Sequence, residues 1–128
     1  MRLLLDTHIA LWAIADSARL SPKARALIEA PSTSVWVSAA SIWEIAIKSS
    51  LGRGDMPVSS RDALRYFLES GFQMLTIDAE HTVAVETLPE HHQDPFDRLL
   101  VAQALTEPMR LMTHDAVVAR YSDTIILV

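Results

Sequence analysis

The chain has 128 residues, half of them hydrophobic and 21% charged, which predicts a single soluble globular domain over residues 1–128. Its 11 basic and 16 acidic residues give a formal net charge of -5, which argues against a strongly basic protein that coats nucleic acid. The chain has no cysteine and only three glycines, which excludes disulfides, thiol nucleophiles, cysteine-ligated zinc and glycine-rich nucleotide-binding loops.

Neither an export signal nor a membrane span is predicted. The apolar start of the chain ends at Asp6, too early for the apolar region of a signal peptide. The longest uncharged run, residues 30–43, contains Pro31 and five serines or threonines. It is shorter than the ~20 apolar residues that a membrane span needs. We therefore expect a cytoplasmic protein.

Strand and helix patterns alternate in the first half of the chain. Short apolar or β-branched runs predict strands at residues 2–5 and 34–38. Helical spacing and N-capping serines predict helices over residues 7–15, 22–30 and 39–50. The segment from Leu51 to Ser59 is predicted to be a mobile loop.

The second half continues this alternation. Ser60 is predicted to cap a helix that ends before Gly71, and Asp78 and Asp94 are predicted to cap helices that end near residues 88 and 108. Strands are predicted at residues 72–77, 110–113 and 124–128, with a short helix at 116–121. Short apolar strands separated by helices predict an α/β fold with a parallel sheet of four to five strands covered on both faces.

Two carboxylates follow the ends of predicted strands. Asp6 comes after the first strand, and Asp115 follows the strand at residues 110–113. Ligands of open parallel sheets bind outside the carboxyl ends of the strands, so both side chains are candidates for a site. Helix N-capping is the structural alternative for each residue alone. Two acids at matching positions favour the site.

Glu44 and Asp97 are the other two candidate acids. Glu44 lies in a mostly apolar helix, where a ligand or metal explains a carboxylate better than an exposed pair with Lys48 would. Asp97 lies in the first turn of the helix that begins at Pro95, where the helix dipole also favours an acid. We expect Asp94 to be the N-cap of this helix and Asp97 to face the site.

Four clustered carboxylates require protons or cations. Two carboxylates about 5 Å apart repel by roughly 3 kcal/mol at an effective dielectric constant near 20. Six such pairs would rival the ~5–15 kcal/mol stability of a whole domain. Oxygen ligands favour Mg²⁺ or Mn²⁺, which typically serve phosphoryl transfer chemistry.

The sequence resembles the PIN-domain ribonucleases of the VapC-type branch of bacterial toxin–antitoxin systems. The matching segments are LLDTH at residues 4–8, SIWEI at 41–45, DPFDRLLVAQ at 94–103 and LMTHD at 111–115. They occur in the family's order and span nearly the whole chain. The resemblance implies a Rossmann-like PIN domain and Mg²⁺- or Mn²⁺-dependent endonuclease cleavage of RNA. It also implies a homodimer and an inhibitory antitoxin that binds an apolar groove.

The resemblance assigns catalysis and metal binding to an acidic quartet of Asp6, Glu44, Asp97 and Asp115. It gives supporting hydroxyls to Thr7 and Thr113. From the residues, Asp94 is a supporting cap, and Lys48, Arg53 and Arg98 are candidates for RNA phosphate contacts, with a structural ion pair as the alternative for Arg98.

Other polar and aromatic residues near these segments are less specific. His8, His91, His92 and His114 lie beside quartet positions in the sequence, and His91 and His92 are expected at the surface. Trp12 and Trp43 are expected in the core or in a partner groove. Trp12, Ile9 and the helix at residues 60–70 are candidates for antitoxin binding.

Two other function classes stay open. A phosphoryl-aspartate phosphatase or receiver domain also places acids at strand ends, but the second phosphatase acid would fall at His8 and a receiver needs a late lysine. The only lysines are Lys23 and Lys48. A non-catalytic α/β binding module, whose acids only cap helices, is the third hypothesis. Asparagine substitutions separate it, since asparagine still caps helices but binds Mg²⁺ poorly.

Overall fold

The computed structural model describes residues 1–52 and 56–128. Within these residues the strands are β1 (Arg2–Leu5), β2 (Ser34–Ser38), β3 (Gln73–Leu75), β4 (Arg110–Thr113) and β5 (Ile126–Leu127). The helices are α1 (Thr7–Ile14), α2 (Pro22–Glu29), α3 (Ala39–Ser50), α4 (Ser60–Glu69), α5 (Ala79–Val85), α6 (Pro95–Thr106) and α7 (Ala116–Ala119). None of these helices has the length and apolarity to cross a membrane.

All strands of the sheet are parallel, in the order β3-β2-β1-β4-β5. The chain moves outward from β1 through β2 to β3, and then returns to the other side of β1 as β4. The sheet therefore has a switch point between β1 and β4, because the connection from β1 to β2 and the connection from β4 to β5 run in opposite directions. Ligands of open α/β sheets bind at such a point, outside the carboxyl ends of the strands.

The sheet separates two hydrophobic layers. Alternate residues of a strand point to opposite faces, so Leu3 and Leu5 pack in one layer and Leu4 in the other. The first layer includes Phe67 of α4, and the second includes Leu100 of α6. β1 is buried on both faces, which explains why its three leucines follow one another without alternating polar residues.

The predicted architecture is confirmed, and the differences lie at element ends. Ser59, not the predicted Ser60, caps α4, because its hydroxyl accepts the Asp62 N–H at 3.1 Å. Strands β3 and β5 are shorter than predicted because each is an edge strand with one neighbour. Helices α5 and α7 end earlier than the predicted residues 88 and 121. Residues 53–55 of the predicted mobile loop, including Arg53, lie outside the described residues.

Candidate active site

Asp6 joins the carboxyl ends of β1 and β4. Its Oδ1 accepts the Ile9 N–H at 3.0 Å and so caps α1, as the structural alternative predicted. Its Oδ2 accepts the hydroxyl of Thr113, at the end of β4, at 2.6 Å. Asp6 is only 8% exposed. The carboxylate is thus held rigidly across the switch point by both neighbouring strands.

Glu44 approaches the same point from α3. Its carboxylate is 5% exposed and accepts the Thr7 hydroxyl at 2.7 Å through Oε1. Its Oε2 lies 2.7 Å from Lys48 Nζ. The expected alternative, an exposed Glu44–Lys48 pair, is therefore half right, because the pair forms but its carboxylate is buried. The ammonium group of Lys48 offsets the charge of the Glu44 carboxylate, but burial of that carboxylate costs desolvation free energy.

Asp94 and Asp97 divide their roles as predicted. Asp94 Oδ1 accepts the backbone N–H groups of Phe96 and Asp97, at 2.8 and 3.1 Å, and so caps α6. Pro95 occupies the first turn, where its missing N–H costs nothing. Asp97 then presents its carboxylate from the third helical position, on the side that faces Asp6 and Glu44.

Asp115 and His92 complete the group. Asp115 Oδ1 accepts the Val117 N–H at 2.8 Å and caps α7. His92 Nε2 lies 3.0 Å from Asp115 Oδ2 and 3.4 Å from Asp97 Oδ2. The imidazole therefore sits between two carboxylates that come from different helices.

One cavity of about 570 Å³ collects the predicted acids. Its lining includes the whole quartet with Asp94, Thr7, Lys48, His8, His114, Trp12, Arg19 and Ala116. Thr113 contributes through its bond to Asp6, and His92 through Asp97 and Asp115. The structure therefore brings together every predicted acid of the site.

Arg98 has a different place from the one expected for a phosphate contact. Its guanidinium donates to the carbonyl oxygens of Val85, Pro89 and His92, at 3.1, 3.0 and 3.4 Å. It also donates to the Tyr121 hydroxyl at 3.1 Å and is not part of the lining of the acidic cavity. Arg98 thus fixes the loop that carries His92, and Glu90 Oε2 lies 3.9 Å from its guanidinium, in agreement with the structural ion pair that was its alternative role.

Burial and mutual repulsion set the protonation of the cluster. Burial, together with the carboxylates of Asp94, Asp6 and Glu44, raises the pKa of Asp97 to about 7 against the opposing effect of His92. Burial also raises the pKa of Asp6, although the Ile9 N–H and the Thr113 hydroxyl counteract it. At neutral pH and without a bound cation, the Asp97 carboxyl group is therefore only partly ionised.

Asp115 behaves differently from Asp97 and Asp6. Partial burial would raise its pKa, but hydrogen bonds from the Val117 N–H, His92 and the Val118 N–H outweigh this effect and lower the pKa. Asp115 therefore stays charged at neutral pH.

The donor set fits a divalent cation. The ligand atoms of His92, Asp97 and Asp115 lie within 4.8 Å of one another, and Asp6 and Glu44 raise the pKa of Asp97 from nearby. Carboxylate oxygens are the ligands that Mg²⁺ and Mn²⁺ favour, and Mn²⁺ also accepts an imidazole nitrogen. A cation would oppose both the burial and the repulsion that keep Asp97 partly protonated. His92, Asp97 and Asp115 thus place ligand atoms close enough for one ion, and the carboxylates of Asp6 and Glu44 line the same cavity.

His92 was misjudged from the sequence, which placed it at the surface with His91. His91 is half-buried and packs edge-on against Tyr121, with ring centroids 4.9 Å apart. His92 turns inward because its backbone N–H donates to the Tyr121 hydroxyl and Arg98 holds its carbonyl. No sequence pattern marks these contacts, because they join a loop to α6 and to the end of α7.

A second cluster of candidate ligands has a structural role. Asp78, His81 and Glu107 place potential ligand atoms within 4.8 Å of one another. His81 is fully buried, its Nδ1 accepts the Asp78 N–H at 2.9 Å, and its Nε2 lies 2.6 Å from Glu107 Oε2. Both ring nitrogens are therefore occupied in joining the start of α5 to the end of α6.

The apolar residues that were candidates for the core or for a partner groove lie in different environments. Ile9 is 1% exposed, so the expectation that it contacts an antitoxin is wrong. Trp43 is 56% exposed, not in the core, and packs edge-on against Phe96 at 5.0 Å. Trp12 is half-buried and lines the acidic cavity.

Comparison with known proteins identifies the fold and family. The PIN domain family model matches residues 3–123. Among solved structures, VapBC2 from Rickettsia felis, solved with a promoter DNA fragment, matches with a TM-score of 0.72 at 19% identity, covering 100% of this chain and 98% of that chain. VapBC-1 from nontypeable Haemophilus influenzae matches with a TM-score of 0.66 at 17% identity, covering 100% and 97%.

FitAcB from Neisseria gonorrhoeae matches with a TM-score of 0.65 at 16% identity, covering 98% of this chain and 96% of that chain. No curated protein matches the sequence. The family model covers most of the chain, and the solved structures share its fold over nearly their whole length. The chain belongs to the PIN domain family.

Proposed function

We propose that this member of the PIN domain family is a divalent-metal-dependent endoribonuclease and the toxin of a VapC-type toxin–antitoxin pair. The observation that carries the proposal is the convergence of Asp6, Glu44, Asp97 and Asp115 on one cavity. A protein that needed these acids only as helix caps would have no reason to gather them. Glu44 and Asp97 cap no helix, and burial together with the neighbouring carboxylates raises the pKa of Asp97 to about 7.

The chain's own residues would organise the reaction as follows. The four carboxylates hold the cation, and Thr7 and Thr113 fix the orientations of Glu44 and Asp6 by donating to them. His92 holds Asp115 and Asp97 at the distance that the cluster needs. When bound, the cation activates water and offsets charge on the phosphate. Lys48 balances the charge of Glu44 at the cavity wall.

The partners follow from the same family. One structural neighbour is a toxin–antitoxin complex from Klebsiella pneumoniae, and two others are the VapBC structures from Rickettsia felis and Haemophilus influenzae. This supports a protein antitoxin that inhibits the nuclease. From the family resemblance we also propose a homodimer and an RNA substrate. A cytoplasmic location would give the toxin access to RNA. Mg²⁺ is the proposed cofactor, with Mn²⁺ as its substitute.

An RNA cleavage assay tests the proposed function. Purified wild-type protein is incubated with labelled single-stranded RNA in Mg²⁺, in Mn²⁺ or in EDTA, beside the variants Asp6→Asn and Asp97→Asn. We expect cleavage by the wild type only with metal, and a loss of at least about 100-fold in either variant, because each removes a charged ligand. Circular dichroism should show that both variants fold, because Asn still caps α1 at position 6.

Asp123→Asn is the matched control. Asp123 is exposed, precedes β5 and belongs to none of the described cavity linings. This variant should cleave RNA at the wild-type rate. Cleavage by Asp97→Asn as fast as by the control would contradict the proposal, as would equal activity in EDTA.

A further inference from the structure

The acidic cavity continues into a second cavity of about 420 Å³. The two linings share His8, Trp12 and Arg19, so these three side chains form a common wall. In the described residues, the second lining contains no carboxylate, and its only permanent charge is the guanidinium of Arg19. A groove thus runs from an acidic floor to a region without negative charge.

Arg19 has no partner for its charge in the described part of the chain. Its backbone N–H donates to Ser17 Oγ at 3.1 Å, which fixes the loop between α1 and α2. Asp16 of the same loop pairs instead with Arg25, at 2.6 Å. The guanidinium of Arg19 is exposed at the boundary of the two cavities. A planar cation with free N–H groups suits a phosphate, which it can bind through two oxygens.

Trp12 provides an aromatic surface beside this cation. Its ring lies between those of His8 and His114, with centroid distances of 6.2 and 5.3 Å. Both histidines are exposed and Trp12 is half-buried, so this aromatic group is supported by the core and open to the groove. Aromatic side chains next to a cation are the usual means of binding unpaired bases of single-stranded RNA.

We propose that Arg19 and Trp12 form a subsite for single-stranded RNA next to the cleavage position, which rests on the proposed ribonuclease function. Arg19 binds a phosphate that neighbours the one over the acidic cluster, and Trp12 stacks on the adjoining base. The subsite supplies positive charge beside the acidic cluster in a chain whose net charge is -5. It also keeps the flanking RNA away from the quartet, so that only one phosphate meets the cation site.

Binding of RNA, measured apart from cleavage, tests this subsite. The probe is a fluorescein-labelled, mixed-sequence single-stranded RNA of eight nucleotides, and every protein carries Asp97→Asn so that RNA stays intact. Fluorescence anisotropy then compares added Arg19→Gln with added Arg110→Gln. Arg110 begins β4 at the amino ends of the strands, opposite to the carboxyl ends that carry the site, so its substitution makes the same charge change away from the groove.

We expect Arg19→Gln to weaken RNA binding about tenfold at low salt, because a charged phosphate contact is lost. The slope of log affinity against log salt concentration should also fall by about 0.7, the value for one phosphate contact on a single strand. Arg110→Gln should leave both quantities unchanged. A merely structural effect of Arg19 would not change the salt slope.

The tryptophans give a second readout. RNA should quench the tryptophan fluorescence of the parent protein and of Trp43→Phe, but much less that of Trp12→Phe. Unchanged RNA affinity in Arg19→Gln, equal losses in both arginine variants, or no RNA binding at all would overturn the proposal. Weaker binding of a purified antitoxin with unchanged RNA binding would assign the groove to a protein. Failure of the wild type to cleave RNA would instead count against the proposed function alone.

Discussion

Asp97 is a site residue that lowers the stability of the folded protein when it is ionised. Its side chain occupies a favourable position at the third residue of α6, where the helix dipole stabilises an acid. Burial and three nearby carboxylates nevertheless raise its pKa to about 7. The residue therefore costs the metal-free protein stability whenever it is ionised. Such a cost is expected where a group is kept for its function.

This cost predicts a stabilising substitution in EDTA. The native pKa of Asp97 is about 7 and the reference value is 3.8, so the native state binds its proton more tightly than the unfolded chain. Wild-type stability should fall relative to Asp97→Asn as pH rises from about 4 to 7, and the gap should then stay constant. We expect a gap of about 2 kcal/mol at pH 8, reduced from the full shift because part of the side chain meets solvent.

Urea unfolding of both proteins at pH 5 and pH 8 measures this gap. Millimolar Mg²⁺ should close it by stabilising the wild type alone, because binding to the native state adds stability by mass action. A gap that is equal at both pH values, or that has the opposite sign at pH 8, would contradict the proposed electrostatic strain.

The acids could be predicted from the sequence for different reasons. Asp6 and Asp115 each follow a short apolar strand, and Glu44 stands alone among apolar residues. Asp97 needed the interpretation of Asp94 as the cap, which the structure confirms. His92 could not be predicted, because its inward position depends on Arg98 and Tyr121, which lie in other elements. Local signals identify residues at element ends but not the path of a loop.

At the scale of elements, most starts were marked by caps. Ser21 and Asp94 each precede a proline and cap α2 and α6, and Asp78 begins α5. The start of α4 was ambiguous, because Ser59 and Ser60 are adjacent and either could accept the free N–H groups. In the structure the Ser59 hydroxyl accepts the Asp62 N–H, and Ser60 lies in the first turn of the helix.

The corrected cap of α4 can be tested by a pair of substitutions. Ser59→Ala should destabilise the protein by about 1 kcal/mol, because it removes the acceptor of the Asp62 N–H. Ser60→Ala should change stability by less than about 0.5 kcal/mol, because alanine is a good helix former and Ser60 lies inside the helix. Thermal unfolding measures the stability of both variants, and a larger loss from Ser60→Ala would instead support Ser60 as the N-cap of α4.

The ends of β3 and β5 mark the limit of pattern-based prediction. Their apolar runs continue beyond the paired residues, but each strand has one neighbour, so pairing ends where that neighbour ends. β1 pairs on both sides and was predicted to the residue. The interior of the sheet was therefore predictable from hydrophobicity, whereas its edges depend on partners far along the chain.

For the whole molecule, the acidic quartet changes the meaning of the net charge. Without Asp6, Glu44, Asp97 and Asp115, 12 acids remain against 11 bases, so the rest of the molecule is nearly neutral. The charge of -5 is thus concentrated at the switch point of the sheet. An RNA ligand would meet one acidic cavity, compensated by cations, and not a uniformly repelling surface.

The central claim is that these four carboxylates act together as one site for a divalent cation. Binding of Mn²⁺ to the wild type, Asp97→Asn and the control Asp123→Asn, followed by the electron paramagnetic resonance signal of free Mn²⁺, tests it most directly. Saturable binding to the wild type and the control, with at least about tenfold weaker binding to Asp97→Asn, is the predicted result. Equal binding by all three proteins, or no binding by the wild type at millimolar Mn²⁺, would contradict the claim.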